Sequence, residues 1–170
     1  GEPDTALEFY GKSLEIILTT LGENHSTTAI TYMNMATVYE DQGDFEKALE
    51  YHTKALTIRL DVLEENHPDI GRSYFNIGSV YDSKGEYDTA LEYYEKSLSI
   101  KRKAYGEDHP SVAVIRTITW VAHTKAKGSL KRRMNITPRL STCKLAYMEN
   151  VIATWQFLTV TSGVFMMMLG

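Results

Sequence analysis

The sequence predicts an all-α solenoid built from antiparallel helix pairs. The first observation is a period of 42 residues, at which identical residues recur through most of the chain. The second is an apolar pattern with the spacing of one helix face. The third is that a single helix pair cannot bury its own apolar face, so neighbouring pairs must stack. Together they predict one continuous core along a repeat array.

The repeat is visible in residues of several chemical types. His25, His67 and His109 lie 42 residues apart, in the segments ENHS, ENHP and EDHP. So many coincidences at one spacing indicate an internal repeat. Further sets at this spacing are Ala6/Ala48/Ala90, Leu7/Leu49/Leu91, Lys12/Lys54/Lys96, Leu14/Leu56/Leu98, Ile16/Ile58/Ile100, Tyr32/Tyr74, Asn34/Asn76, Tyr39/Tyr81 and Gly43/Gly85.

Each repeat contains signals for two helices. The first helix presents one apolar face and ends at Gly43, because glycine readily adopts the left-handed backbone of a helix end. Asp44 then supplies an N-cap for the second helix. Pro68 suits the start of the next unit, where a missing backbone N–H is not needed. The predicted helices are 3–20, 27–42, 44–62, 69–84, 86–104 and one from 111 onward.

The repeats carry a recognisable motif. It is Y-M-N-M-A-x-x-Y-x-x-x-G-x-F-x-x-A from Tyr32 to Ala48 and Y-F-N-I-G-x-x-Y-x-x-x-G-x-Y-x-x-A from Tyr74 to Ala90. This pattern resembles the tetratricopeptide repeat, and the 42-residue unit resembles the kinesin light chain and nephrocystin-like type. The resemblance covers residues 1–113. It implies a right-handed superhelical solenoid that binds partner peptides.

The period divides the chain into segments. Gly1 falls at the phase of Gly43, so residues 1–25 are predicted to be the second helix of a truncated repeat, and a longer parent protein is expected upstream. Two full units follow, and then the first helix of a degenerate unit. The boundaries are 26–67, 68–109 and 110–126, with an aberrant basic and then apolar tail over 115–170.

Charge changes sign at the tail. Residues 1–114 contain 10 Lys and Arg against 21 Asp and Glu, whereas residues 115–170 contain 8 against one. The repeat residues also disappear there, since Arg116, Ile118, Trp120 and His123 replace the motif. Such a shift indicates a boundary.

We interpret the tail as repeat sequence translated out of frame. Met and Trp have single codons, so where the next residue is also constrained they force the residue of the shifted frame. Six forced codons each match an earlier repeat. They are Gly at Trp120, Glu at Met134, Gly at Met148, Ala at Trp155, and Asp at Met166 and Met167.

Two alternatives remain open for the whole protein. Residues 151–169 are mostly apolar and follow the basic run Lys131, Arg132 and Arg133, as in a C-terminal membrane anchor. Several polar residues in that stretch disfavour membrane association. The array is also compatible with a segment of a larger signalling ATPase. The acidic array and the lack of a known module argue against nucleic acid as a partner.

No catalytic set is evident in the sequence. It contains no G-x-S-x-G, P-loop or G-x-G-x-x-G motif. The phased histidines fall in successive inter-repeat loops, too far apart to share a metal ion, so they are expected to hold those loops. With one cysteine, Cys143, and no secretory signal, we expect a cytoplasmic, non-catalytic protein without metal or cofactor.

The resemblance implies a peptide-binding groove lined by the first helix of each unit. Asn34 and Asn76 match the family's groove asparagine, and an amide can pair with a peptide backbone as donor and acceptor. Arg72 lies one turn before Asn76 and is expected to meet an acidic group. Met33 and Phe75 stand where kinesin light chains commonly carry a second asparagine. The resemblance therefore does not extend to the peptide preference of kinesin light chains.

Overall fold

A computed structural model of the chain describes residues 2–133, with side chains described for 3–128. This part is all α-helical and contains no strand, which confirms the predicted fold class. All six helix starts and the ends of the first five helices lie within one residue of the predicted positions, whereas no end was predicted for the sixth. The helices are α1 Glu2–Thr20, α2 Ser26–Asp41, α3 Phe45–Val62, α4 Pro68–Lys84, α5 Tyr87–Tyr105 and α6 Pro110–Arg133.

The chain divides into two compact units, Gly1–Lys127 and Gly128–Gly170. The first unit contains α1 to α5 and most of α6. In the second unit only the end of α6 is described. The apolar stretch 151–169 and Cys143 lie outside the described residues. Within the described helices, none combines the length and hydrophobicity needed to cross a bilayer.

The phased histidines are helix caps. The imidazole Nδ1 atoms of His25, His67 and His109 each accept a hydrogen bond from the backbone N–H two residues on, at 3.2 Å. Each satisfies a donor that the first turn of a helix leaves free. The expectation that they hold the inter-repeat loops is confirmed for all three.

The turn inside each unit is also repeated. Gly43 and Gly85 have φ values of 76° and 79°, a backbone conformation that side chains other than glycine rarely adopt. In both turns the glycine N–H and the next N–H bond back to carbonyls of the preceding helix, at 2.9–3.0 Å. This left-handed turn reverses the chain and lays the second helix antiparallel to the first.

The helices pack mainly on their neighbours in sequence, α1 on α2, α2 on α3, α3 on α4 and α4 on α5. α6 buries Val112, Ile115 and Ala122, and Ala122 belongs to the same apolar cluster as Tyr94. Three apolar clusters lie along the stack, centred on Tyr32, Ile70 and Tyr94. Because no cluster spans the whole array, its stability depends on contacts between adjacent elements.

A tyrosine pair recurs in both full units. The Tyr39 and Tyr51 rings stack at 5.4 Å, and Tyr81 and Tyr93 stack at 5.5 Å, each with an interplanar angle of 13°. Such repetition shows that the same wedge of aromatic side chains sets the helix spacing in each unit.

Gly78 marks the closest approach of helices in the second unit. A Cβ atom added there would lie 2.8 Å from two ring carbons of Tyr94, which is buried. In the first unit, the corresponding residues are Ala36 and His52, also buried. The same space between the two helices is therefore filled in two ways. The second unit combines glycine with tyrosine, and the first unit combines the larger alanine with the smaller histidine.

Candidate functional site

The predicted groove residues lie on the first helices of the two full units. Met33 and Asn34 are in α2, and Arg72, Phe75 and Asn76 are in α4. The Arg72 side chain is exposed, whereas the other four are half-buried. All five are therefore accessible to some degree from solvent.

The two asparagine amides are not engaged by the protein. Among the described residues no hydrogen bond is made by the side chain of Asn34 or Asn76, although both side chains are half-buried. Each amide offers a carbonyl acceptor and two N–H donors. A peptide backbone has the complementary groups, so the arrangement can bind an extended chain.

Arg72 is not a solitary cation. Its Nη2 lies 3.0 Å from Asp69 Oδ1, one turn earlier in α4. Both side chains are substantially exposed, so this pair is weak and its charge stays available to a competing anion. The pairing holds the guanidinium beside the N-terminal half of α4.

Met33 and Phe75 have a packing role that the sequence argument did not assign. Met33 packs against the first apolar cluster and its Sδ accepts a hydrogen bond from Arg59 Nη1 at 3.6 Å. The Phe75 ring lies 5.4 Å from the Tyr94 ring. Their inner surfaces belong to the core, and only their outer surfaces are open to a ligand.

Two cationic residues near Arg72 were not predicted as site residues from the sequence. Arg59 in α3 and Lys101 in α5 are 42 residues apart, so the period itself could have identified them as a pair. Arg59 is 2% exposed, and its Nη1 donates to Ser73 Oγ at 2.7 Å and to the Asp69 carbonyl at 3.0 Å. The Lys101 Nζ lies 5.9 Å from the centre of the Phe75 ring.

The carboxylate of Asp69 influences all three cations electrostatically, although of these only Arg72 forms an ion pair with it. Burial, and then the positive charge of Arg72, lower the pKa of Arg59, and the same two causes lower the pKa of Lys101. Asp69 opposes the lowering in both cases. The region therefore has an excess of positive charge, in contrast to residues 1–114 with 10 basic against 21 acidic side chains. We call Arg59, Arg72 and Lys101 the cationic cluster.

Among the described residues, neither a metal site nor the cavity along α3 coincides with the predicted groove. In the part of the chain with described side chains, no three His, Cys, Asp or Glu side chains are placed to hold a metal ion. A cavity of about 590 Å³ runs along α3, but it includes no predicted groove residue. Its lining includes Tyr32, Leu49, Lys54 and Tyr81.

The stacked helix-pair repeat is the architecture of a protein-interaction scaffold. A family model for the tetratricopeptide repeat matches residues 1–61, 28–103 and 69–117, and the chain belongs to that family. The fold of its repeats is similar to that of kinesin light chain-like repeats of known structure. No curated protein sequence matches the chain.

Solved structures with similar folds include kinesin light chain-like TPR repeats and the protein BtubC (BKLC). The TPR-like repeats of one from Podosopora anserina are 22% identical, with a TM-score of 0.66, over 75% of this chain and 60% of that one. BtubC (BKLC) from P. vanneervenii is 25% identical, with a TM-score of 0.63, over 82% of this chain and 61% of that one. This chain thus spans about three fifths of each.

Proposed function

We propose that this chain is a non-catalytic adaptor of cargo or complex components, which binds an acidic partner peptide in the groove of α2 and α4. The observation that carries the proposal is the cationic cluster beside two unused asparagine amides. The amides pair with the peptide backbone, and Arg72, the exposed member of the cluster, pairs with a carboxylate of the peptide. The resemblance of the repeats to those of kinesin light chains supports an adaptor role. The cytoplasmic location stays a prediction.

Each type of groove residue binds a different part of the peptide. Asn34 and Asn76 recognise the backbone and so tolerate many sequences. Arg72 supplies a guanidinium that can bind a carboxylate with two parallel hydrogen bonds. The outer surfaces of Met33 and Phe75 provide an apolar floor between these polar groups. Recognition of this kind needs no reaction at any side chain.

The test is binding of fluorescein-labelled extended peptides measured by anisotropy. One peptide pool carries Asp and Glu at fixed central positions, and the matched pool carries Asn and Gln there. We expect the acidic pool to bind more tightly and the difference to shrink at high salt. Equal binding of both pools would contradict the proposal.

Single substitutions then locate the site. We expect Arg72→Gln to weaken binding of the acidic pool roughly 10-fold, because a charge-assisted hydrogen bond is lost. Asn76→Ala should weaken both pools alike. Arg102→Gln is the matched control, since Arg102 is also an exposed arginine paired with a carboxylate, that of Glu107. Circular dichroism should show unchanged helicity for all three variants. An Arg102→Gln effect equal to that of Arg72→Gln would place the site elsewhere.

A further inference from the structure

The joint between the two full units is bridged by one buried side chain. Arg59 leaves α3 of the first unit and donates to the Asp69 carbonyl and the Ser73 hydroxyl, both in α4 of the second. The same Nη1 also reaches Met33 Sδ in α2. A single guanidinium therefore touches the first helices of both units, the two helices that carry Asn34 and Asn76.

The next joint lacks this bridge. At the spacing of 42 residues, Lys101 replaces Arg59, and Ile115 replaces Ser73. Isoleucine has no acceptor, and Lys101 instead lies over the Phe75 ring. The joint between the two full units, here called the first joint, therefore has a hydrogen-bonded bridge that the joint between the second unit and α6, the second joint, lacks among the described residues.

Burial of the Arg59 charge costs free energy, which indicates that the bridge has a role other than stabilising the fold. Arg59 is 2% exposed, and among the described residues no carboxylate lies within ion-pair distance of it. Its Nη2 has no hydrogen-bond partner there. Burying a charge in this way is expensive, and an apolar side chain would stabilise the joint as well or better. What an apolar contact cannot provide is a fixed direction between the two helices.

We propose that Arg59 is a positioning residue that locks the first joint and so sets the spacing of Asn34 and Asn76. Peptide backbone groups recur at fixed intervals, so two amides can bind one chain together only when their spacing is held. The second joint, without the bridge, is the more variable of the two. The effect on binding rests on the proposed peptide groove, whereas the effect on spacing does not.

The experiment measures the spacing directly in the full chain, without ligand. Spin labels are attached at Thr37→Cys and Ser83→Cys, two exposed positions of α2 and α4, in a Cys143→Ser background. A second labelled pair, Ser83→Cys with Thr124→Cys, spans the second joint. Pulsed electron resonance then gives a distance distribution for each joint. We expect a narrow distribution for the first joint and a broader one for the second.

Removal of the acceptor tests the cause. Ser73→Ala should broaden the distribution of the first joint and leave the second unchanged. Ser97→Ala is the matched control, because Ser97 is equally buried but its Oγ has no hydrogen-bond partner among the described residues. Arg59→Lys, which keeps the charge and loses the fork, should act like Ser73→Ala. It also decides the matter if circular dichroism shows that Ser73→Ala is unfolded.

The outcomes separate the two proposals. Arg59 has no positioning role if Ser73→Ala and Ser97→Ala give the same distance distribution for the first joint. The same holds if the distributions of the two joints are equally broad in the parent chain. If the acidic peptide pool binds, Ser73→Ala should weaken it roughly 2–30-fold, the range of coupling between linked sites. If no peptide binds, the peptide groove is wrong, and the spacing measurement still decides the role of Arg59.

Discussion

Single residues decide the helix spacing in each unit. Gly78 is required because the Tyr94 ring lies where any larger residue would place its Cβ atom. Tyr94 is fully packed, and burial raises the pKa of its phenol to about 12. The ring cannot move aside without breaking contacts of the third apolar cluster. The pair therefore acts as one unit of packing.

We expect Gly78→Ala to lower the free energy of unfolding by about 1–3 kcal/mol, through overpacking. Tyr94→His in the same chain should recover much of the loss, because Ala36 and His52 already form that combination in the first unit. Urea denaturation of the two single variants and the double variant measures the coupling. The control is Gly11→Ala, where an added Cβ meets nothing within 4 Å. Independent effects at 78 and 94 would contradict the packing argument.

Lys101 gives the proposed groove a pH dependence. Burial first, and then Arg72, hold its pKa below the ordinary 10.5. Since an acidic peptide prefers the charged amine, its affinity should be full at neutral pH. It should fall as pH rises through this lowered pKa, earlier than for an ordinary lysine. Lys101→Arg keeps its charge over this range and should delay the fall. An identical pH profile for both proteins would exclude Lys101 from the site.

The site was less predictable than the helices. Asn34, Asn76 and Arg72 could be chosen from the motif, because the period assigns each residue a place on a helix face. Arg59 and Lys101 were not predicted as site residues because their long side chains contact neighbouring helices. Periodicity along one helix does not describe such contacts. The structural role of Met33 was missed for the same reason, since its partner is Arg59.

At the scale of elements, the helix ends were predictable because their signals are local. Glycine, proline and the capping residues act within one turn of their own position. The six helices therefore start, and the first five end, within one residue of the predicted positions. One difference between units concerns a cap. Asp44 accepts from the Lys47 N–H, whereas Glu86, at the same phase, makes no side-chain cap bond.

The histidine caps make a prediction for the loops between units. We expect His67→Ala to lower the free energy of unfolding by about 0.5–2 kcal/mol, because the Asp69 N–H loses its acceptor. His67→Asn, which retains a capping side chain, should lose much less. Thermal unfolding followed by circular dichroism measures both. Equal losses for the two variants would show that the imidazole ring is needed for packing instead.

At the scale of the whole molecule, the array is a chain of neighbour contacts whose last described helix departs from the repeat motif. α6 carries Trp120 at the phase of Gly78, where even a Cβ atom would meet the ring of a following helix. A second helix could not pack on α6 as α5 packs on α4. This supports our interpretation that the tail is out of frame, which a nucleotide sequence across codons 110–120 tests directly.

Removal of the tail should leave the array intact. Gly1–Lys127 forms its own compact unit, and stability in such arrays is a sum of local terms. A chain ending after Arg133 should therefore melt, by circular dichroism, close to the temperature of the full chain. A large decrease would show that residues 134–170 stabilise the repeats. Carbonate extraction of the two chains from membranes tests the anchor alternative, which requires that only the full chain be retained.

The position of Trp120 also allows the end of the array to be followed by tryptophan fluorescence. The chain has two tryptophans, and both follow the last full repeat, Trp120 in α6 and Trp155 in the tail. Trp120 is 48% exposed, so its emission responds to small changes in how α6 is seated. Fluorescence excited at the red edge therefore records the departure of the last helix, while ellipticity records the melting of the stack. A gap between the two transitions would measure how far the array frays from one end before it unfolds.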